Sequence, residues 1–132
     1  MKRNSHTGKI TTPKEDYLKV MLELSNDEGI HSIDIANVLG ISKASVSCMM
    51  DVLKDEGYVS REKYGAVTLT ENGRNIAANV KRRYELLKTF LHNVLGAEAT
   101  IAAWDACRIE HLISSETTDK IDRQLEKLSE CK

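Results

Sequence analysis

Apolar positions recur at helical spacing along most of the chain and give way once, between Gly57 and Thr70, to short β-prone pieces. Thr12-Pro13-Lys14-Glu15 has the spacing of a capping box with proline at the first helical position, so a helix is predicted from there to about Ser25, with Asp16 in its first turn. Ser32 reads as the cap of a short helix ending at Gly40, and Ser42 as the cap of a third. In the third helix Val46, Met49, Met50 and Leu53 fall at i, i+3, i+4 and i+7, which turns one stripe toward a core, and Gly57 closes it. Tyr58-Val59-Ser60-Arg61 and Ala66-Val67-Thr68-Leu69 then predict a two-stranded ribbon around the charged tip Glu62-Lys63-Tyr64-Gly65. Ile76, Val80, Tyr84, Leu87, Leu91 and Val94 predict one long helix from Thr70 to about Leu95, nearly 40 Å at ~1.5 Å per residue. Residues 98–113 are apolar on more than one face, which predicts a helix that a second subunit helps to cover. Ser115 reads as the cap of a final amphipathic helix carrying Ile121, Leu125 and Leu128.

Within residues 32–56 the Ala36-x3-Gly40-x5-Val46 spacing is that of a helix-turn-helix: a small residue where the helices cross, a glycine at the turn, and an apolar residue packed between them. Adding the ribbon and the Leu69-Thr70-x-x-Gly73 ending puts the elements in winged helix-turn-helix order, the second helix being the one that enters a DNA groove. With its apolar stripe inward, that helix points Lys43, Ala44, Ser45, Ser47 and Cys48 outward near its N-terminus, toward a major groove. Lys43 is the candidate guanine reader, the hydroxyls suit phosphate and water-mediated contacts, and Arg61 and Lys63 in the wing are placed over the backbone or the minor groove.

The expected fold class is mainly α: an N-terminal winged helix-turn-helix with a two-stranded β-wing, plus a C-terminal helical dimerisation domain. The expected boundaries are a basic arm at 1–11, the winged helix at 12–73, a long linking helix at 74–95, and a helical metal-binding and dimerisation domain at 96–132.

Composition changes this picture little. The chain has 132 residues, a net charge of −1 and a single proline, which fits one compact body or two small layers rather than an enzyme with a deep cleft. No apolar run approaches the ~20 residues needed to span a bilayer, and no apolar stretch follows the basic start, so the expectation is a cytoplasmic protein with no membrane partner. Lys2, Arg3, Lys9 and Lys14, with no acid among residues 1–14, make an arm that could lie along phosphates. Cys48, Cys107 and Cys131 are odd in number and irregularly spaced, which argues against a disulfide framework and leaves free thiols.

One of those thiols belongs to a cluster. Cys107 and His111 are i, i+4 and Cys107 and Glu110 are i, i+3, so a thiolate, a carboxylate and an imidazole would project from one helical face. A divalent cation would want another donor, for which Asp16 is the candidate. No Gly-rich phosphate loop and no nucleophile with an adjacent base accompanies the cluster, so an enzyme is not expected.

Thr11-Thr12-Pro13-Lys14-Glu15-Asp16-Tyr17-Leu18, Ile41-Ser42-Lys43-Ala44-Ser45-Val46-Ser47, Leu69-Thr70-Glu71-Asn72-Gly73 and Ala106-Cys107-Arg108-Ile109-Glu110-His111 together resemble the diphtheria toxin repressor and manganese transport regulator family, over nearly all of residues 11–128. The resemblance implies a metal-activated homodimeric repressor of metal-uptake genes that binds a double-stranded DNA operator, of the short type without an SH3-like third domain. It also implies roles by position. Asp16 matches the first-helix ligand of the manganese-type members, and Cys107, Glu110 and His111 match the primary site of the iron-type members.

Where that family has further donors, this chain has Lys19, Tyr84, Lys88 and Ala103, so one metal per subunit is expected. The mixed donor set makes Fe²⁺ the first choice and Mn²⁺ the second, with Zn²⁺ or Co²⁺ binding in vitro. The alternative is a metal-independent winged-helix regulator that responds to a small molecule or to thiol oxidation.

Overall fold

The computed structural model describes residues 11–26, 29–61 and 66–130. The basic arm before Thr11, the wing-tip Lys63 and Cys131 lie outside the described residues. The chain divides into two units, Met1–Ala78 and Asn79–Lys132.

The first unit opens with α1 (Thr12–Leu24), α2 (Ser32–Leu39) and α3 (Lys43–Asp55). The helix starts correct two of the sequence expectations. Thr11, not Thr12, is the N-cap of α1, and His31, not Ser32, is the N-cap of α2; neither makes a side-chain capping bond. The proline of α1 lies in its first turn, where a missing N–H costs nothing, and that suffices to set the start. Ser42 does cap α3, accepting from the Ser45 N–H at 3.1 Å. Gly40 ends α2 at φ +70, a left-handed conformation that glycine adopts without Cβ strain.

The three helices close on a core of Leu18, Met21, Ile35, Val46, Met50 and Leu53, all fully buried. Each such side chain contributes roughly 1.5–3 kcal/mol relative to exposure. Ala36 is buried with Val46, as the helix-turn-helix spacing requires, and Met49 is partly buried against the same cluster.

Strands β1 (Val59–Arg61) and β2 (Val67–Leu69) pair antiparallel, with Val59 opposite Leu69 and Arg61 opposite Val67. The sheet also takes in Ile30, which exchanges both backbone hydrogen bonds with Val67 at 2.7 and 2.8 Å, a pairing the sequence pattern did not announce. The ribbon returns to α4 (Glu71–Thr89) through Thr70, whose hydroxyl donates to the Gly57 carbonyl at 2.7 Å and accepts from the Gly73 N–H at 3.1 Å. Gly73 has no room for a side chain, because a Cβ there would overlap the backbone carbonyl of Tyr58.

In the second unit the long helix does not stay α-helical to Leu95 as predicted. Phe90–Val94 widens into a π-helical turn, with Leu95 N–H donating to the Phe90 carbonyl at 3.2 Å. Gly96 at φ +79 then lets the Ala97 N–H reach back to the Leu91 carbonyl at 2.9 Å, which closes the helix end. Helix α5 (Ala99–Ile109) is capped by Glu98 and stops short of the predicted 113. The reason lies in the next helix, α6 (Ser115–Glu130). Its cap is Ser114 rather than Ser115, accepting from the Thr117 N–H at 3.1 Å, and that cap needs the chain to leave the α conformation beforehand. Arg82 on α4 bonds Asp119 and Asp122 on α6, both at 3.0 Å, which fixes the register of those two helices.

Gly73→Ala is expected to lower stability by about 1–3 kcal/mol through backbone overlap. Gly40→Ala, which meets open space, should lose only the cost of a left-handed alanine, about 1–2 kcal/mol. Denaturant midpoints of the two variants check both values.

Candidate DNA-reading face and metal centre

The N-terminal half of α3 carries the expected reading face. Lys43, Ala44, Ser45 and Cys48 are exposed and Ser47 is half-buried, while Val46 and Met50 between them are fully buried. One stripe anchors the helix and the opposite stripe is left to water. The Ser42 hydroxyl donates to the Ser45 hydroxyl at 3.0 Å, so the first turn is a cluster of small polar groups beside Lys43 and the free N–H groups of a helix start.

Arg61, expected over the DNA backbone or the minor groove, is paired with Asp51 of α3 through a 2.6 Å contact, so the wing strand is tied to the helix it flanks. At the far end of α3, Glu56 takes both of its contacts from Lys14 of α1, at 2.8 and 3.0 Å. Together these pairs hold α3 from two sides.

In the second unit two of the predicted metal ligands meet. The Glu110 side chain is fully buried, and its Oε2 lies 3.0 Å from His111 Nε2 on a side chain only 6% exposed. Both residues follow the last turn of α5, with Glu110 as its C-cap and its N–H still bonded to the Ala106 carbonyl at 2.9 Å. Two donors each ~2.0–2.2 Å from one ion sit about 3 Å apart at a right angle, so this pair fits adjacent positions on a small divalent cation.

Cys107 is a free, exposed thiol outside that pair. The expectation of a shared helical face assumed α5 to continue through His111; with the helix ending at Ile109 the spacing no longer sets the direction of the imidazole. Asp16 and Lys19 are half-buried on α1 in the first unit.

Sequence reasoning missed Arg83. Its Nε donates to the backbone carbonyl of Glu110 at 2.6 Å across a separation of 27 residues, and no local pattern signals such a bond. Three of the positions where further donors were sought, Tyr84, Lys88 and Ala103, line a separate groove of about 480 Å³ with His92 and Trp104. There the Lys88 ammonium lies 5.1 Å from the centre of the Tyr84 ring and 3.4 Å from a Glu85 carboxylate oxygen. An ammonium and a methyl side chain, Ala103, cannot ligate a cation alongside the phenol.

The comparison with known proteins is consistent across both units. Residues 9–67 match the N-terminal DNA-binding domain of the iron dependent repressors, and residues 70–132 match their metal-binding and dimerisation domain. The chain belongs to the iron-dependent repressor family, that of the diphtheria toxin repressor and the manganese transport regulators.

The family is one of metal-dependent transcriptional regulators, not enzymes. The chain is 33% identical over 114 residues to the regulator MntR of Bacillus subtilis, covering 85% of this chain and 80% of MntR. It is 31% identical over 118 residues to an uncharacterised helix-turn-helix regulator of Methanocaldococcus jannaschii, covering 88% and 94%. Among solved structures, the manganese regulator SloR superposes with a TM-score of 0.75 at 34% identity, covering 89% of this chain and 55% of SloR. The chain therefore spans about half the length of that relative. The winged helix carries the family's DNA-binding domain, and Glu110 and His111 lie in its metal-binding domain. No single helix among the described residues is long and apolar enough to cross a membrane.

Lys43→Ala is expected to weaken operator binding and to reduce the slope of log affinity against log salt by about one phosphate contact. Thermal stability should be unchanged, since Lys43 is exposed. Salt-dependent fluorescence anisotropy measures the first effect and a melting curve the second.

Proposed function

We propose that this chain is a metal-responsive repressor of metal-uptake genes that binds its operator as a homodimer when one divalent ion per subunit occupies a site anchored on Glu110 and His111. The observation that carries this reading is the buried carboxylate beside an imidazole, 3.0 Å apart, in a chain that also bears a winged helix. Asp16 is the third ligand, supplying a second hard oxygen, and the ion thereby ties the first helix of the DNA-binding domain to the domain that dimerises. That tie would set the spacing of two recognition helices for half-sites one or more helical turns apart, ~34 Å per turn.

Cys107 is the remaining candidate ligand and the weakest, because its thiol is exposed. A site of one imidazole and two carboxylates without the thiolate is hard enough for Mn²⁺ as well as Fe²⁺. The names of its relatives, the manganese regulator SloR and a manganese-dependent repressor solved with manganese, lean the same way. A related repressor, ScaR, has been solved with Zn²⁺ and with Cd²⁺. Ions further along the affinity order are therefore expected to bind in vitro.

The homodimer face proposed here is the apolar surface of the second unit, where Leu95 and Trp104 are each 63% exposed and Leu112 is 82% exposed. Three large apolar side chains left this exposed in one unit favour an interaction surface there. Regulation by thiol oxidation is the second reading, and the exposed Cys48 and Cys107 favour it.

Operator affinity measured with Mn²⁺ or Fe²⁺ and again with excess chelator should differ at least fivefold, the low end of ordinary allosteric coupling. Asp16→Ala should remove that difference, and the metal content of the loaded protein should be one per subunit. Affinity indifferent to the chelator sinks the metal reading, and loss of binding on oxidation alone installs the second. Trp104→Glu should convert the dimer to a monomer by light scattering; a dimer that persists places the interface elsewhere.

A further inference from the structure

We infer that Arg83 is a positioning residue for the metal site, acting through the single peptide group that joins its two central ligands. The inference rests on the metal reading above. Glu110 and His111 are consecutive, so the Glu110 carbonyl and the His111 N–H belong to one peptide plane. Arg83 Nε donates to that carbonyl at 2.6 Å. Fixing the oxygen fixes ψ of Glu110 and φ of His111 together, and with them the directions in which both side chains leave the backbone.

The carbonyl needs such a partner. Glu110 is the C-cap of α5, and the last carbonyls of a helix have no N–H from a following turn. Here the N–H groups of Leu112 and Ile113 both turn back to the Ile109 carbonyl. A guanidinium supplies a planar, permanently charged donor, which also suits the negative end of a helix. Arg83 is half-buried on α4, whereas its neighbour Arg82 is exposed and spent on Asp119 and Asp122. Adjacent arginines thus have separate tasks, one structural and one directed at the ligand-bearing turn.

The test is Co²⁺ titration of the purified full chain, read by its visible absorption bands, for the native protein, Arg83→Lys and Arg83→Met. The methionine variant should bind Co²⁺ about 10–100-fold more weakly, the usual effect of losing an outer partner of a ligand, with its bands shifted by altered ligand geometry. The lysine variant, which keeps a donor and the charge, should recover most of the affinity and the native band positions. In the metal-free proteins the His111 amide resonance should move in Arg83→Met and much less in Arg83→Lys, while the melting midpoints stay together. Equal Co²⁺ affinity in native and Arg83→Met overturns the positioning role and leaves the metal reading standing. Equal losses in both variants that track a fall in melting midpoint also overturn it. A native chain that binds no Co²⁺ overturns both.

Discussion

A carboxylate held out of water is the constraint on which the second unit turns. An ionised side chain removed from solvent costs several kcal/mol unless other charges or hydrogen bonds offset it. Glu110 is among the largest fully buried side chains of the chain and sits at the C-terminus of α5, where the helix dipole is least favourable to an acid. A chain selected for stability alone would place a lysine or a glycine there. What surrounds the position answers the charge: an imidazole 3.0 Å away and a guanidinium on the adjoining peptide. A divalent cation would answer it further, turning a locally poor choice into a binding energy. Sequences break their own local rules chiefly at functional sites, and the buried acid at Glu110 is a break of that kind, which favours the proposed reading.

The parts of the fold that were legible in the sequence are those in which one residue type has one physical use. Val46, Met50 and Leu53 form a buried stripe because an amphipathic helix has no other place for them. Gly73 is fixed by the Tyr58 carbonyl, and Gly40 by its left-handed backbone. What was not legible depended on competition between neighbours. Ser114 and Ser115 are equally good caps, and which one serves also decides where α5 stops. The π-turn at Phe90–Val94 adds no residue type that an α-helix would refuse. The Ile30–Val67 pairing and the Arg83–Glu110 bond join distant positions, on which local periodicity is silent. The ligand cluster divides the same way: Glu110 and His111 meet as consecutive residues in a turn, whereas Cys107, placed with them by helical counting, faces solvent.

That division bears on metal choice more than on metal binding. A thiolate in the first coordination sphere pulls a site toward the softer and later ions, while carboxylates with one imidazole leave it open to manganese and iron. Cys107, the soft donor of the set matched to the iron-type site, is exposed while Glu110 and His111 are not, so on the proposed reading the two carboxylates and the imidazole weigh more than the sulfur. Family resemblance by position is therefore weaker evidence about metal identity than the local environment of a single sulfur.

The groove beside Tyr84 and Lys88 limits the response that such a regulator can give. A second ion there would have to displace an ammonium already resting on the Tyr84 ring and paired with Glu85, and would gain few donors in exchange. On the proposed reading each subunit then holds one ion, and a dimer two. Metal can bias the DNA-competent state only by its differential affinity for that state, and the steepness of the response is bounded by the number of ions coupled to it. With two ions per dimer the response to metal can be no steeper than second order, and any steepness beyond first order must come from coupling across the dimer face.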